Sequence, residues 1–228
     1  MKYVKDWKRY INEQTGEDTS HLIVAIFGAS GTGKTTLKKY FISQGWSEVK
    51  STTTRPPRAE EESLSPEESE YRYITDIEDF GRTRAKGELF NVRNYKGHMY
   101  GTKIEEFMKP GKSVMMTDID SIKELRQKVG LGIGNKMAGI TKDIRFIHCV
   151  PDFETVKKAL TARGAESAER IPGLSDEIEH LFTKVRQLKM LPEVRERLYE
   201  VVCIPEGLKT QSLPQEVIEL EKTLSEQA

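Results

Sequence analysis

The chain has 228 residues with 36 Lys+Arg against 36 Asp+Glu, a formal net charge of zero. It therefore carries no global basic field of the kind that drives non-specific nucleic-acid binding, and any anion it holds must be held locally. A hydrophobic fraction of 36% with only short apolar runs excludes a membrane protein, and two cysteines, Cys149 and Cys203, with four histidines fit neither a disulfide framework nor a zinc site.

The first 20 residues lack the apolar run of a secretory signal, so a reducing, cytoplasmic setting is expected. Tyr3, Val4, Trp7, Tyr10 and Ile11 recur at helical spacing, which predicts a helical extension over 1–20 ahead of one domain over 21–228. That helix is read as packing on its own domain, with a dimer contact or a partner groove as the alternatives. Leu22 to Phe27 (LIVAIF) is short, continuously apolar and β-branched, as a parallel strand buried on both faces should be. A glycine loop follows, then a helix from Thr35 to Ser43. Further strands are predicted at Tyr71–Ile74, Glu88–Arg93, Ser113–Asp118, Ile144–Val150 and Glu200–Ile204. Helices are predicted between them at Asp76–Ala85, Ser121–Val129, Phe153–Arg163, Asp176–Lys189 and Gln215–Leu224. This alternation means an α/β fold with a largely parallel sheet. Ala59 to Glu70 is acidic, contains Pro66 and reads as a solvated loop. Gly130 to Gly139 carries four glycines but lacks G-x-G-x-x-G spacing, so it reads as a flexible connection.

Gly28 to Thr35 (GASGTGKT) is the full G-x-x-x-x-G-K-[ST] pattern. Glycines let the backbone wrap so that successive N–H groups point at phosphate oxygens, and the following helix aims its positive end at the same place. Gly28, Ser30, Gly31, Thr32, Gly33, Lys34, Thr35 and Thr36 are the candidate ATP-binding residues. Lys34 would reach the β and γ phosphates and the Thr35 hydroxyl would ligate Mg²⁺. Its placement between a buried strand and a helix is the context the motif requires. Ser51 to Arg58 (STTTRPPR) then sets Arg55 and Arg58 three apart, stiffened by Pro56 and Pro57, as a fork for a second phosphate. His98 reads as a surface loop residue, and His148 and Cys149 as core. No covalent nucleophile arrangement is visible.

GASGTGKT and STTTRPPR, followed in order by EYRYI, GELFNVRNYKGHMYGT, VMMTDID, RFIHCVPD and ALTARG, resemble the guanylate kinase family of P-loop nucleoside monophosphate kinases. The resemblance runs from about Leu22 to Arg163, with a weaker tail to Ile204. It implies a three-layer P-loop NTPase fold with a parallel sheet, a small mixed α/β monophosphate-binding subdomain over 51–109 and a mobile lid over 164–175. It implies that Ser51, Arg55, Arg58, Tyr71 and Tyr100 hold the monophosphate, that Thr102 contacts the base and that Asp118 faces the monophosphate. Asp118 and Asp120 would hold Mg²⁺ with Thr35, and Lys34, Arg55, Asp118 and Arg163 form the implied catalytic set. The expected substrates are ATP and a nucleoside monophosphate, GMP or dGMP, handled by a monomer or homodimer without nucleic acid or membrane.

Two departures stand out. Where the family has a base-reading glutamate, this chain has Asn91. Asparagine offers one acceptor and one donor in place of two acceptors, which suits guanine but also a uracil, thymine or adenine edge. In the lid, Ala159 stands at the first arginine position, and the later one falls near Leu174, so Arg170 or Arg186 would have to substitute beside Arg163. The competing readings are a kinase for another or modified (deoxy)nucleotide, a non-catalytic module that binds phosphoproteins, and a kinase acting on a phosphosugar.

Overall fold

The computed structural model describes residues 21–226 apart from 58–60, 67, 75, 96, 108, 110, 123–124, 126–142, 163, 165–167 and 203–212. The N-terminal helix, the Gly130–Gly139 connection, Arg58 and Arg163, and most of the helix expected over Ser121–Val129 lie outside the described residues.

β1 (His21–Phe27) is the LIVAIF run, and every residue from Leu22 to Phe27 is at most 2% exposed. Side chains alternate across a strand, and here the alternation feeds two cores. Ile23, Ala25 and Phe27 join one cluster; Leu22, Val24 and Ile26 join the other. Burial of a Val, Leu, Ile or Phe side chain contributes roughly 1.5–3 kcal/mol, so this one strand anchors both layers. The first cluster receives Leu181, Val185 and Leu188 from α5 (Leu174–Lys189). The second receives Leu37, Tyr40 and Phe41 from α1 (Lys34–Ser43) and Val217 and Leu224 from α7 (Gln215–Glu226). β1 lies at the centre of a five-stranded sheet, order β2-β7-β1-β8-β9, formed with β2 (Ser47–Glu48), β7 (Gly111–Met116), β8 (Asp143–Val150) and β9 (Leu198–Val202). Every pairing in it is parallel. The result is the three-layer α/β fold expected of a P-loop NTPase, with helices on both faces.

A second sheet has the order β4-β3-β6-β5, from β3 (Ser51–Thr53), β4 (Tyr71–Tyr73), β5 (Leu89–Tyr95) and β6 (His98–Lys103). β3 pairs parallel with β4 and antiparallel with β6. Helices α2 (Ile77–Ala85) and α3 (Ile104–Phe107) flank it, and α2 is capped by the Asp76 side chain on the Glu78 N–H. The chain returns through α4 (Phe153–Ala162), a 3₁₀ turn (Ile171–Gly173), α5 and the short α6 (Pro192–Arg195).

Two sequence expectations change. His98 opens β6 and is half-buried rather than a surface loop residue, because the preceding Gly97, at φ +80°, closes a hairpin that Tyr95 and His98 pair across. The acidic 59–70 stretch is not simply solvated: Glu61 is 8% and Ser69 5% exposed. Glu61 is drawn inward by an arginine, as described next.

Candidate active site

The glycine loop lies between the end of β1 and the first turn of α1. Gly28 has φ +154°, and a Cβ there would stand 2.7 Å from the Cys149 carbonyl oxygen, so only glycine lets β8 run this close beneath the loop. Gly33 takes the left-handed conformation, φ +83°, at the α1 N-cap, where no side chain caps the helix. The positive N-terminal end of α1 is thus presented at the mouth of the loop, where it favours an anion. Thr32 is fully buried and its hydroxyl donates to the Ala29 carbonyl at 2.9 Å. Lys34 folds back over the loop, with Nζ 2.9 Å from the Gly28 and 2.6 Å from the Ala29 carbonyl oxygen. Thr36 is half-buried on the same turn.

Strand register assembles the second half. Ser51 lies between Tyr71 on one neighbour and Thr102 on the other, and Thr102 in turn faces Phe90, next to Asn91. Tyr71 and Tyr100 meet edge to face at 5.9 Å, and the Arg55 guanidinium lies 5.3 Å from the Tyr71 ring centre. Burial, reinforced by Glu70 and Tyr100, keeps the Tyr71 phenol well above its ordinary pKa although Arg55 and Arg93 pull it down. It is therefore a neutral hydroxyl that can donate to a phosphate without adding charge. Arg55 is gripped by Glu61 through two bonds of 2.9 Å and by the Tyr73 hydroxyl at 3.2 Å. Burial lowers its pKa but the Glu61 hydrogen bonds and charge more than reverse this, so it stays a cation.

The glycine loop and the second sheet open on one cavity, lined among others by Lys34, Ser51, Glu70, Tyr71 and Arg93. Lys38, only 5% exposed, ties the two together: Nζ lies 2.5 Å from Glu48 in the parallel sheet and 3.9 Å from Glu70 beside β4.

Asn91 sits at a bulge between Phe90 and Arg93, with φ +53° and 1% exposure. Its Nδ2 and the Thr102 hydroxyl are buried with no hydrogen-bond partner among the described residues. Orphaned buried donors of this kind are costly, and a ligand that supplies an acceptor would relieve them.

The expected metal ligands are partly diverted. Asp118 pairs with Arg93 Nε at 2.7 Å and caps Ser121 through both carboxylate oxygens. Asp120 is 72% exposed and ion-paired to Lys184 on α5. Among the described residues no three His, Cys, Asp or Glu side chains gather as a metal site. The Thr35 hydroxyl instead lies 3.5 Å from Glu70 Oε1. Mg²⁺ typically takes one or two protein oxygens, phosphate and water. Thr35 with a nearby carboxylate fits that ion, whereas outward-facing Asp120 does not.

At the two positions where the resemblance places lid arginines, the chain has buried apolar residues. Ala159 is 7% exposed, and Leu174 is fully buried with Val156 and Leu160. Arg170 reaches the loop, donating to the Ser30 hydroxyl at 3.2 Å, while Glu177 accepts the Ser30 N–H at 3.3 Å. Arg186 is exposed on α5.

A family model for guanylate kinase matches residues 20–191. The chain belongs to the guanylate kinase family. It is 29% identical over 160 residues to a guanylate kinase of Lactobacillus acidophilus, covering 67% of this chain and 70% of that protein. It is 29% identical over 168 residues to one of Thermobifida fusca, covering 71% and 77%. In fold it superposes on the crystal structure of guanylate kinase from Anaplasma phagocytophilum with a TM-score of 0.54 at 15% identity, covering 92% of this chain and 87% of that one. Membership makes the chain an ATP-dependent nucleoside monophosphate kinase. Sequence reasoning missed Glu61, Glu70 and Arg93 as site residues. The first two were hidden in an acidic run, and the only signal for Arg93 was a charge inside a strand.

Proposed function

We propose that the protein transfers the γ-phosphoryl group of ATP to GMP or dGMP, giving ADP and the nucleoside diphosphate. The observation that carries this reading is the single cavity shared by Lys34 of the glycine loop and by Ser51 and Tyr71 of the second sheet, since phosphoryl transfer needs both phosphates in line and close. Arg55, with Arg58 where the resemblance puts it, orients the acceptor phosphate. Thr35 would hold Mg²⁺, with Glu70 or Asp118 acting through water; bound there, the ion neutralises charge on the β and γ phosphates. Arg163 and Arg170 serve the donor side. The reaction takes place in the cytoplasm.

A base edge that presents an acceptor to the orphan Nδ2 of Asn91 is satisfied by guanine O6. The same observation supports a second reading, in which O4 of uracil or thymine takes that place and the acceptor is a pyrimidine monophosphate. Coupled ADP release measured over GMP, dGMP, AMP, CMP, UMP and dTMP tests both. GMP or dGMP is expected to give the highest kcat/KM; a GMP rate at background with turnover of dTMP or UMP would shift the assignment to pyrimidines.

A further inference from the structure

The family resemblance supplies neither Lys38 nor Arg93 among the cations that line the cavity; Lys38 is held by Glu48, and Arg93 is the guanidinium of the two. It rises from β5 just past the Asn91 bulge, where the register shift re-aims the strand. It lines the same cavity as Lys34, Ser51 and Tyr71, and its guanidinium lies 5.6 Å from the Tyr100 ring centre. Its position is thus between the donor loop and the acceptor clamp. Its resting partner is Asp118, through Nε at 2.7 Å, and both side chains keep some solvent exposure, 29% and 36%, so a phosphate can compete for the pair. Meanwhile two lid positions where relatives of this family are expected to carry arginine hold Ala159 and Leu174, which are packed into a small core with Val156 and Leu160. Neither of these two positions carries a cation, while Arg93 brings one to the other side of the cavity.

We propose that Arg93 is a catalytic residue of the phosphoryl transfer: its guanidinium leaves Asp118 to contact the acceptor phosphate and the γ-phosphoryl group in flight, supplying positive charge that Ala159 and Leu174 cannot. The inference rests on the kinase reading above. In that reaction an ionised acceptor oxygen forms the new P–O bond, the bond between the γ-phosphorus and the β–γ bridging oxygen breaks, and ADP departs with the electron pair. No proton transfer by the protein is required. Charge spreads over the oxygens of the moving group, and an arginine brought against that charge speeds phosphoryl transfer by orders of magnitude.

The test is steady-state kinetics on the full chain. For Arg93→Ala, kcat is expected to fall about 10²- to 10³-fold with acceptor KM raised several-fold, and methylguanidinium is expected to restore part of kcat. Arg93→Lys, which keeps the charge and the pairing with Asp118, is expected to keep the parent Tm yet lose at least about tenfold in kcat, because lysine cannot span two oxygens in a fork; this keeps the test decisive should the alanine variant misfold. If both variants keep kcat and KM within about threefold of the parent, the inference is wrong. It is also wrong if Asp118→Asn matches Arg93→Ala and methylguanidinium restores nothing, since Arg93 would then only position Asp118. If the parent itself releases no ADP with any monophosphate, the kinase reading fails and takes this one with it.

Discussion

The glycine loop and the acceptor sheet meet at one cavity but are built on different physics. The loop is a backbone device: Gly28 and Gly33 adopt conformations that side chains resist, and the N-terminal end of α1 favours an anion beside them. The acceptor side is a side-chain device. Arg55 is gripped by Glu61, Arg93 rests on Asp118, and Asn91 is held buried with a positive φ. A backbone site survives the loss of any one side chain as a shape, whereas an ion-paired site leaves a buried charge behind when one partner goes.

Removing the side chain of greatest chemical weight on each side should expose the contrast. Lys34→Ala is expected to lower kcat by roughly 10²–10³-fold or more while leaving Tm within about 2 °C, since a half-buried lysine whose ammonium lies on the Gly28 and Ala29 carbonyls takes no part in either apolar cluster of the core. Coupled ADP release and a thermal melt read both numbers; a large drop in Tm would mean that the loop depends on this side chain for its shape. Arg55→Ala should do two things at once. Acceptor KM is expected to rise by tens-fold, and stability to fall by about 3 kcal/mol in urea unfolding, because Glu61, 8% exposed, loses its bidentate partner. An unchanged urea midpoint would overturn the contrast between the two halves.

A smaller effect sharpens the picture at the seam behind the loop. His148, fully buried on β8, stacks on Phe27 at 5.0 Å and contacts Glu200 at 3.2 Å. Burial lowers its pKa more than Glu200 raises it, with Lys189 adding to the lowering. The unfolded chain therefore takes up a proton near pH 6.5 while the folded one resists until lower pH. This residue costs nothing above that range and destabilises increasingly as pH falls from about 6.5 toward its folded value. Between pH 7 and 5 the parent should lose more Tm than His148→Gln. Equal losses would show that the imidazole is protonated in place.

The same division explains what could be read in advance. The glycine loop, the central strand and the alternation of elements were legible because they rest on local rules: apolar runs, glycine spacing, helix periodicity. The three-residue β3 and the hairpin partner β6 were not, since polar threonines and a YKGH turn carry no such period and their strand character comes from lateral pairing. Nor was Glu61 legible. Its run of acidic neighbours predicts solvation, and only the three-dimensional approach of Arg55 turns one of them inward. Asp118 and Asp120 read as a pair on a strand end, but β7 stops at Met116, and the turn beyond it sends them to different cations, Arg93 and Lys184.

Lys38 has a consequence that reaches past its own ion pairs. It lies on the helix that follows the glycine loop and pairs with Glu48 of the parallel sheet and with Glu70 just ahead of β4, so the two proposed substrate seats share a common post. Whichever nucleotide docks first and stiffens that post leaves less ordering for the second. By thermodynamic reciprocity, the gain in acceptor affinity with ATP present must equal the gain in ATP affinity with acceptor present.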